Sequence, residues 1–119
     1  MDLTVGPSTY RLVTAERGAQ FIAYAVRIDT NERFGIETLA ADAEDAQRRL
    51  AAWLEWQHEH TQALEALQQA ERTYHRAMAG AAFATPENDS TDAARLSLES
   101  VNTARAQLDA VRARRPNVE

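Results

Sequence analysis

Between Gly35 and Gly80 the chain contains neither glycine nor proline. Within that window Ala43, Ala46, Leu50, Trp53, Gln57, His60, Leu64, Leu67, Glu71, Tyr74 and Met78 recur at alternating spacings of three and four. This is a helical period held for about five heptads, the pattern of a coiled-coil seam. A helix of about 40 residues is roughly 60 Å long. A compact globule of this chain length has a radius of gyration of only about 13–14 Å. The seam therefore needs cover along its whole length, from elsewhere in the chain or from another chain.

The segment ahead of the helix reads as extended structure. Residues 1–8, which hold Gly6 and Pro7, read as a flexible N-terminal arm. Residues 9–39 read as a three-stranded antiparallel β-meander. Thr9 to Ala15 alternates in polarity, Glu16 to Ala19 is a glycine-bearing hairpin loop, and Gln20 to Asp29 is rich in β-formers. A short third strand is expected over Phe34 to Thr38. The second strand has a strong face of Ile22, Tyr24, Val26 and Ile28 and a weaker one of Phe21, Ala23, Ala25 and Arg27. The weaker face is still more apolar than a solvated antiparallel face, so the helices or a partner must cover it.

The long helix is expected to start near Leu39 to Asp42, with Asp42 as N-cap and Glu44 and Asp45 in the first turn, where the positive helix end favours carboxylates. It ends at Gly80, behind His75 and Arg76. In the connection, Thr85-Pro86-Glu87 can open a helical turn and Asn88-Asp89-Ser90 offers caps. A return helix is then predicted over Thr91 to Arg115, with Leu98, Val101, Leu108 and Val111 on its buried face, Ala94 and Ala104 filling in, and Pro116 stopping it. The fold class is therefore α+β: a three-stranded meander, a long helix and an antiparallel return helix. Residues 40–119 form a helical hairpin packed with the meander as one domain.

Composition narrows the function classes. The chain of 119 residues has no cysteine, which excludes disulfides, thiolate catalysis and zinc–cysteine sites. No apolar run approaches the roughly 20 residues needed to span a bilayer, and the start shows no basic region followed by an apolar stretch. A cytoplasmic location with no membrane partner is the expectation. All 13 basic residues are arginine and alanine is abundant, a bias that suits a GC-rich bacterial or phage genome. The net charge of −5 divides into −1, −3 and −1 over residues 1–39, 40–79 and 80–119. No segment is basic, which argues against nucleic acid, since neutralising phosphates needs a positive surface. Arg11, Arg17, Arg27 and Arg33 could form a basic ribbon, but Glu16, Asp29, Glu32 and Glu37 are interleaved with them, as on a solvated face.

Chemistry-bearing motifs are few. Glu55 and His58 have the Glu-x-x-His spacing used in carboxylate-bridged metal bundles, but those bundles need the motif twice plus two further glutamates. Glu55 and His58 remain the candidate metal ligands, with His60 facing another side of the helix, and no cofactor is expected. Serines lack the strand–turn–helix setting of a nucleophile elbow, and four scattered glycines make no phosphate loop. The sequence thus points away from an enzyme and toward a protein–protein interaction or assembly protein that forms a homodimer through the helical hairpin. The expected contact residues are Trp53, Trp56, His60, Leu64, Leu67, Tyr74, Leu98, Val101 and Leu108, a set that equally describes pairing of the helices within one chain. Tryptophans dominate binding hot spots, yet Trp53 and Trp56 equally suit the place where meander meets helix. His60, Gln57 and Glu71 are polar seam positions of the kind that fix register. The alternative reading is a small acidic inhibitor or regulator of another macromolecule, steered by its charge to a basic groove.

Overall fold

The computed structural model describes residues 1–81 and 91–116. It is α+β: an antiparallel sheet in the order β1-β2-β3-β4, followed by two helices. The strands are β1 (Asp2–Val5), β2 (Ser8–Arg17), β3 (Gln20–Arg27) and β4 (Arg33–Ala40), and the helices are α1 (Ala43–Ala81) and α2 (Thr91–Ala113). The described residues divide into two compact units, the first formed by residues 1–58 and 114–116 and the second by residues 59–81 and 91–113. α1 contributes to both.

The sheet has four strands where the sequence suggested three. The extra strand lies in the segment expected to be an arm: Asp2 to Val5 pair with Arg11 to Ser8, and the Leu12 N–H donates to the Met1 carbonyl at 2.8 Å. Leu3 and Val5 alternate with polar neighbours, so four residues suffice to give a strand one apolar face. Gly6, at φ +59°, makes the tight turn from β1 into β2. β4 is also longer than expected. Its pairing with β3 is interrupted: Ala23 faces Thr38 but Ala25 faces Phe34, so residues of β4 bulge out opposite Tyr24. Gly35 sits in this bulge at φ +79°.

The face of β3 that meets α1 is the weaker one. Ala23 and Ala25 are fully buried and cluster with Tyr10, Leu12, Ala46, Leu50, Trp53 and Leu54, with Phe21, Phe34 and Ile36 packed around them. Alanines on the sheet let the helix come close, so its own leucine and tryptophan side chains supply the volume. Thr38 is the one buried polar side chain among the described residues, and its hydroxyl donates to the Ala46 carbonyl at 2.6 Å, tying β4 to the first turn of α1. Asp42 caps α1 as predicted: the Asp45 N–H donates to the Asp42 carboxylate at 2.7 Å.

In the second unit, residues of α1 and α2 share a smaller core. Leu67, Val101, Ala104 and Leu108 are buried, with Ala63, Leu64, Ala70 and Tyr74 packed against them. On α2 the least exposed positions are Ala94, Ser97, Val101, Ala104, Leu108 and Val111, a strict three–four repeat. Leu98, expected on that face, is displaced from it by Ser97 and is 42 % exposed. On α1 the stripe drifts from Met78 to Ala77, leaving Met78 47 % exposed. α2 ends at Ala113, two residues earlier than expected. The turn and caps expected over Thr85 to Ser90 lie outside the described residues.

Candidate interaction site

The outer face of the sheet, opposite α1, carries Val13, Ile22, Tyr24, Val26 and Leu39, placed there by the two-residue alternation of each strand. Arginines roof it. The Arg33 guanidinium lies 3.9 Å from the Tyr24 ring centroid, and the Glu37 carboxylate bridges Arg33 at 2.5 Å and Arg17 at 3.1 Å. The hydrogen bond from Arg33, with the Arg17 charge beside it, holds the Glu37 carboxyl below its ordinary value. Asp2 and Arg11 approach to 3.9 Å at the β1 end. The long arginine stems cover apolar surface while their heads stay in water. Ile22 is only 6 % exposed under this roof. Of the interleaved charges read from the sequence, Arg17, Arg33 and Glu37 are thus ion-paired on this face, and Arg27 pairs with Asp29.

The second unit is less well covered. A groove of about 520 Å³ runs between its helices, lined by Ala66, Ala70, Leu96, Ser100, Thr103 and Gln107, with Glu99 the only charged side chain in its lining. Leu96 is 56 % exposed on its rim. On α2 the row Leu96, Ser100, Thr103, Gln107 follows the i, i+4, i+7, i+11 spacing of one helix flank. The other flank carries Leu98, Asn102, Arg105, Asp109 and Arg112. On α1, Gln68, Glu71, Arg72 and His75 line a separate, polar depression of about 430 Å³.

The residues singled out in the sequence fall in different places. Trp53 is buried in the sheet–helix core, its indole Nε1 buried without a hydrogen-bond partner among the described residues. Its ring fills the space over Gly35, where an added Cβ would lie 2.5 Å from Cζ3. Trp56 is half-buried beside that core, with the Arg115 guanidinium 5.7 Å from its ring centroid. Glu55 is exposed, and the His58 ring packs against Gly6 so closely that a Cβ there would overlap it. Among the described residues no group of three or more histidine, aspartate or glutamate side chains is gathered as a metal ion would need. His60 is half-buried and its Nε2 accepts from Arg112 Nε at 3.4 Å. Leu67, Val101 and Leu108 are brought together in the second core, with Leu64 and Tyr74 at its edge and Leu98 outside it.

Leu96 was the residue the seam pattern passed over, because it falls between the core positions Ala94 and Ser97. Its signal lay in the second leucine two residues on: Leu96 and Leu98 cannot both face one partner helix. No helix among the described residues is long and apolar enough to cross a membrane. Comparison with protein-family models, with characterised proteins and with solved structures finds no match to this chain.

Proposed function

We propose that the protein is a non-enzymatic interaction or assembly protein that self-associates through its two helices, which act as an antiparallel helical hairpin. The observation that carries the reading is the one-sided burial of the second unit. Two helices can bury only the strip where they touch, and here Leu96, Leu98 and Met78 stay 42–56 % exposed around it. Antiparallel pairing is supported by Arg112, at the end of α2, bonding His60, while Leu96, near the start of α2, lines a groove with Ala66 and Ala70. The absence of cysteine suits action in the cytoplasm.

The mass in solution tests this. Sedimentation equilibrium of the full chain is expected to give twice the 13.3 kDa protomer at concentrations of about 10 μM and above. A monomer that persists to the highest attainable concentration would remove self-association.

A further inference from the structure

Resting on that reading, we infer that a second copy of this chain docks on the sparsely charged flank of the helix pair, whose groove is lined by Ala66, Ala70, Leu96, Ser100, Thr103 and Gln107 with Glu99 as its one charged residue. A two-fold contact sets a surface against itself, so any charge near its centre meets its own like or must be desolvated. The groove on this flank is lined by a single charged residue, Glu99, three residues beyond Leu96. The opposite flank presents Arg105, Asp109 and Arg112.

Two hydroxyls on or beside the flank already have partners. The Ser100 hydroxyl is engaged with the Leu96 carbonyl at 3.2 Å, and the Thr73 hydroxyl, on the neighbouring turn of α1, with the Gln69 carbonyl at 3.0 Å. Burying them strands no hydroxyl donor. Leu96, 56 % exposed, is the apolar anchor. The alanines opposite it leave the depression that a leucine from the second copy would fill.

The size is adequate. The 23 residues of α2 span about 34 Å. Two helices side by side, with axes about 9 Å apart, present a face about 18 Å wide. That is roughly 600 Å² per copy and about 1,200 Å² in total, the lower bound of a stable interface. Two such pairs face to face form a four-helix arrangement.

The test compares the full-length wild type with Leu96→Glu, on this flank, and Asn102→Glu, exposed on the other, by sedimentation over about 1–500 μM. Circular dichroism confirms that each variant retains its helix content. The expected result is a wild-type dimer whose dissociation constant rises at least about a hundredfold in Leu96→Glu, because a carboxylate is buried without a partner, and by less than about threefold in Asn102→Glu. If the wild type dimerises and Leu96→Glu dimerises equally well, this flank is not the interface, although self-association stands. Loss of the dimer in Asn102→Glu alone moves the interface to the charged flank. A monomeric wild type overturns both the inference and the function it rests on.

Discussion

In the first unit α1 lies across a sheet; in the second it lies along one helix. The consequence is visible in burial. Ten residues form the buried core of the first unit, and Leu50, Ala46, Ala23 and Ala25 within it have no exposed surface. The second core has four buried residues, and leucines flank it in water. A sheet surrounds a helix on both flanks as well as below, because neighbouring strands extend beyond the helix width. A single helix covers one strip. The same amphipathic pattern on α1 therefore closes a core over Ala46 to Leu54 and leaves open flanks beyond His60. Extensive burial belongs to the first unit and exposed leucines to the second.

Core truncations sharpen this contrast most. Leu50→Ala leaves a cavity walled by sheet and helix that cannot collapse, and is expected to cost about 3–5 kcal/mol. Leu108→Ala, beside open flanks where side chains can relax, is expected to cost about 2–3 kcal/mol. Urea unfolding measures both. Trp53 and Trp56, the chain's two tryptophans, lie in the first unit, so their fluorescence reports that unit while far-ultraviolet circular dichroism follows both helices. Equal costs, or a larger cost at Leu108, would break the comparison.

Glycine substitutions come next. Gly35→Ala is expected to destabilise by about 2–4 kcal/mol, because its Cβ would meet the Trp53 ring at 2.5 Å and its φ of +79° strains any residue with a side chain. At Gly80, within the last turn of α1, an added Cβ meets nothing within 4 Å. Gly80→Ala is therefore expected to stabilise, by up to about 1 kcal/mol, since alanine restricts the unfolded chain and favours helix. Thermal midpoints moving in opposite directions would confirm that close packing is confined to the sheet-covered part of α1.

Much of this was legible from residues 43–81. An unbroken three–four repeat without glycine or proline can only be a helix, and Asp42 announced its start. The partner of each stretch was less legible. Ala23 and Ala25 read as the weak face of β3 because hydrophobicity scores side-chain size, whereas close packing against a helix rewards smallness. Strand β1 was hidden because Gly6 and Pro7 suggest an unpaired arm, and four residues carry little periodicity. On α2, Leu98 looked like core by composition, yet the register set by Val101, Ala104 and Leu108 assigns Ser97 to the core and leaves both leucines outside. The flank proposed for docking was illegible for the same reason: it is defined by where charge is sparse beside two helices, and the pairing of those helices fixes which rows lie side by side.

The smallest expected effect concerns the sheet's outer face, where ion pairs rather than a packed element provide the cover. Glu37 titrates below its ordinary value, chiefly through its hydrogen bond from Arg33. A carboxyl favoured in its ionised form by the fold stabilises the protein at neutral pH. That contribution begins to fall as the pH drops to the unfolded-state value and is gone below the lowered folded-state value. Glu37→Gln removes the carboxylate, so the variant should have a slightly lower thermal midpoint than the wild type at pH 7, and the gap should narrow on acidification to about pH 3. The exposed setting keeps the gap small, and added salt should narrow it further at neutral pH. A gap that stays the same at both pH values would mean that Glu37 acts by packing its stem over Tyr24 and Leu39 rather than through charge. The outer face would then resemble the helix side of the sheet more closely than its arginines suggest.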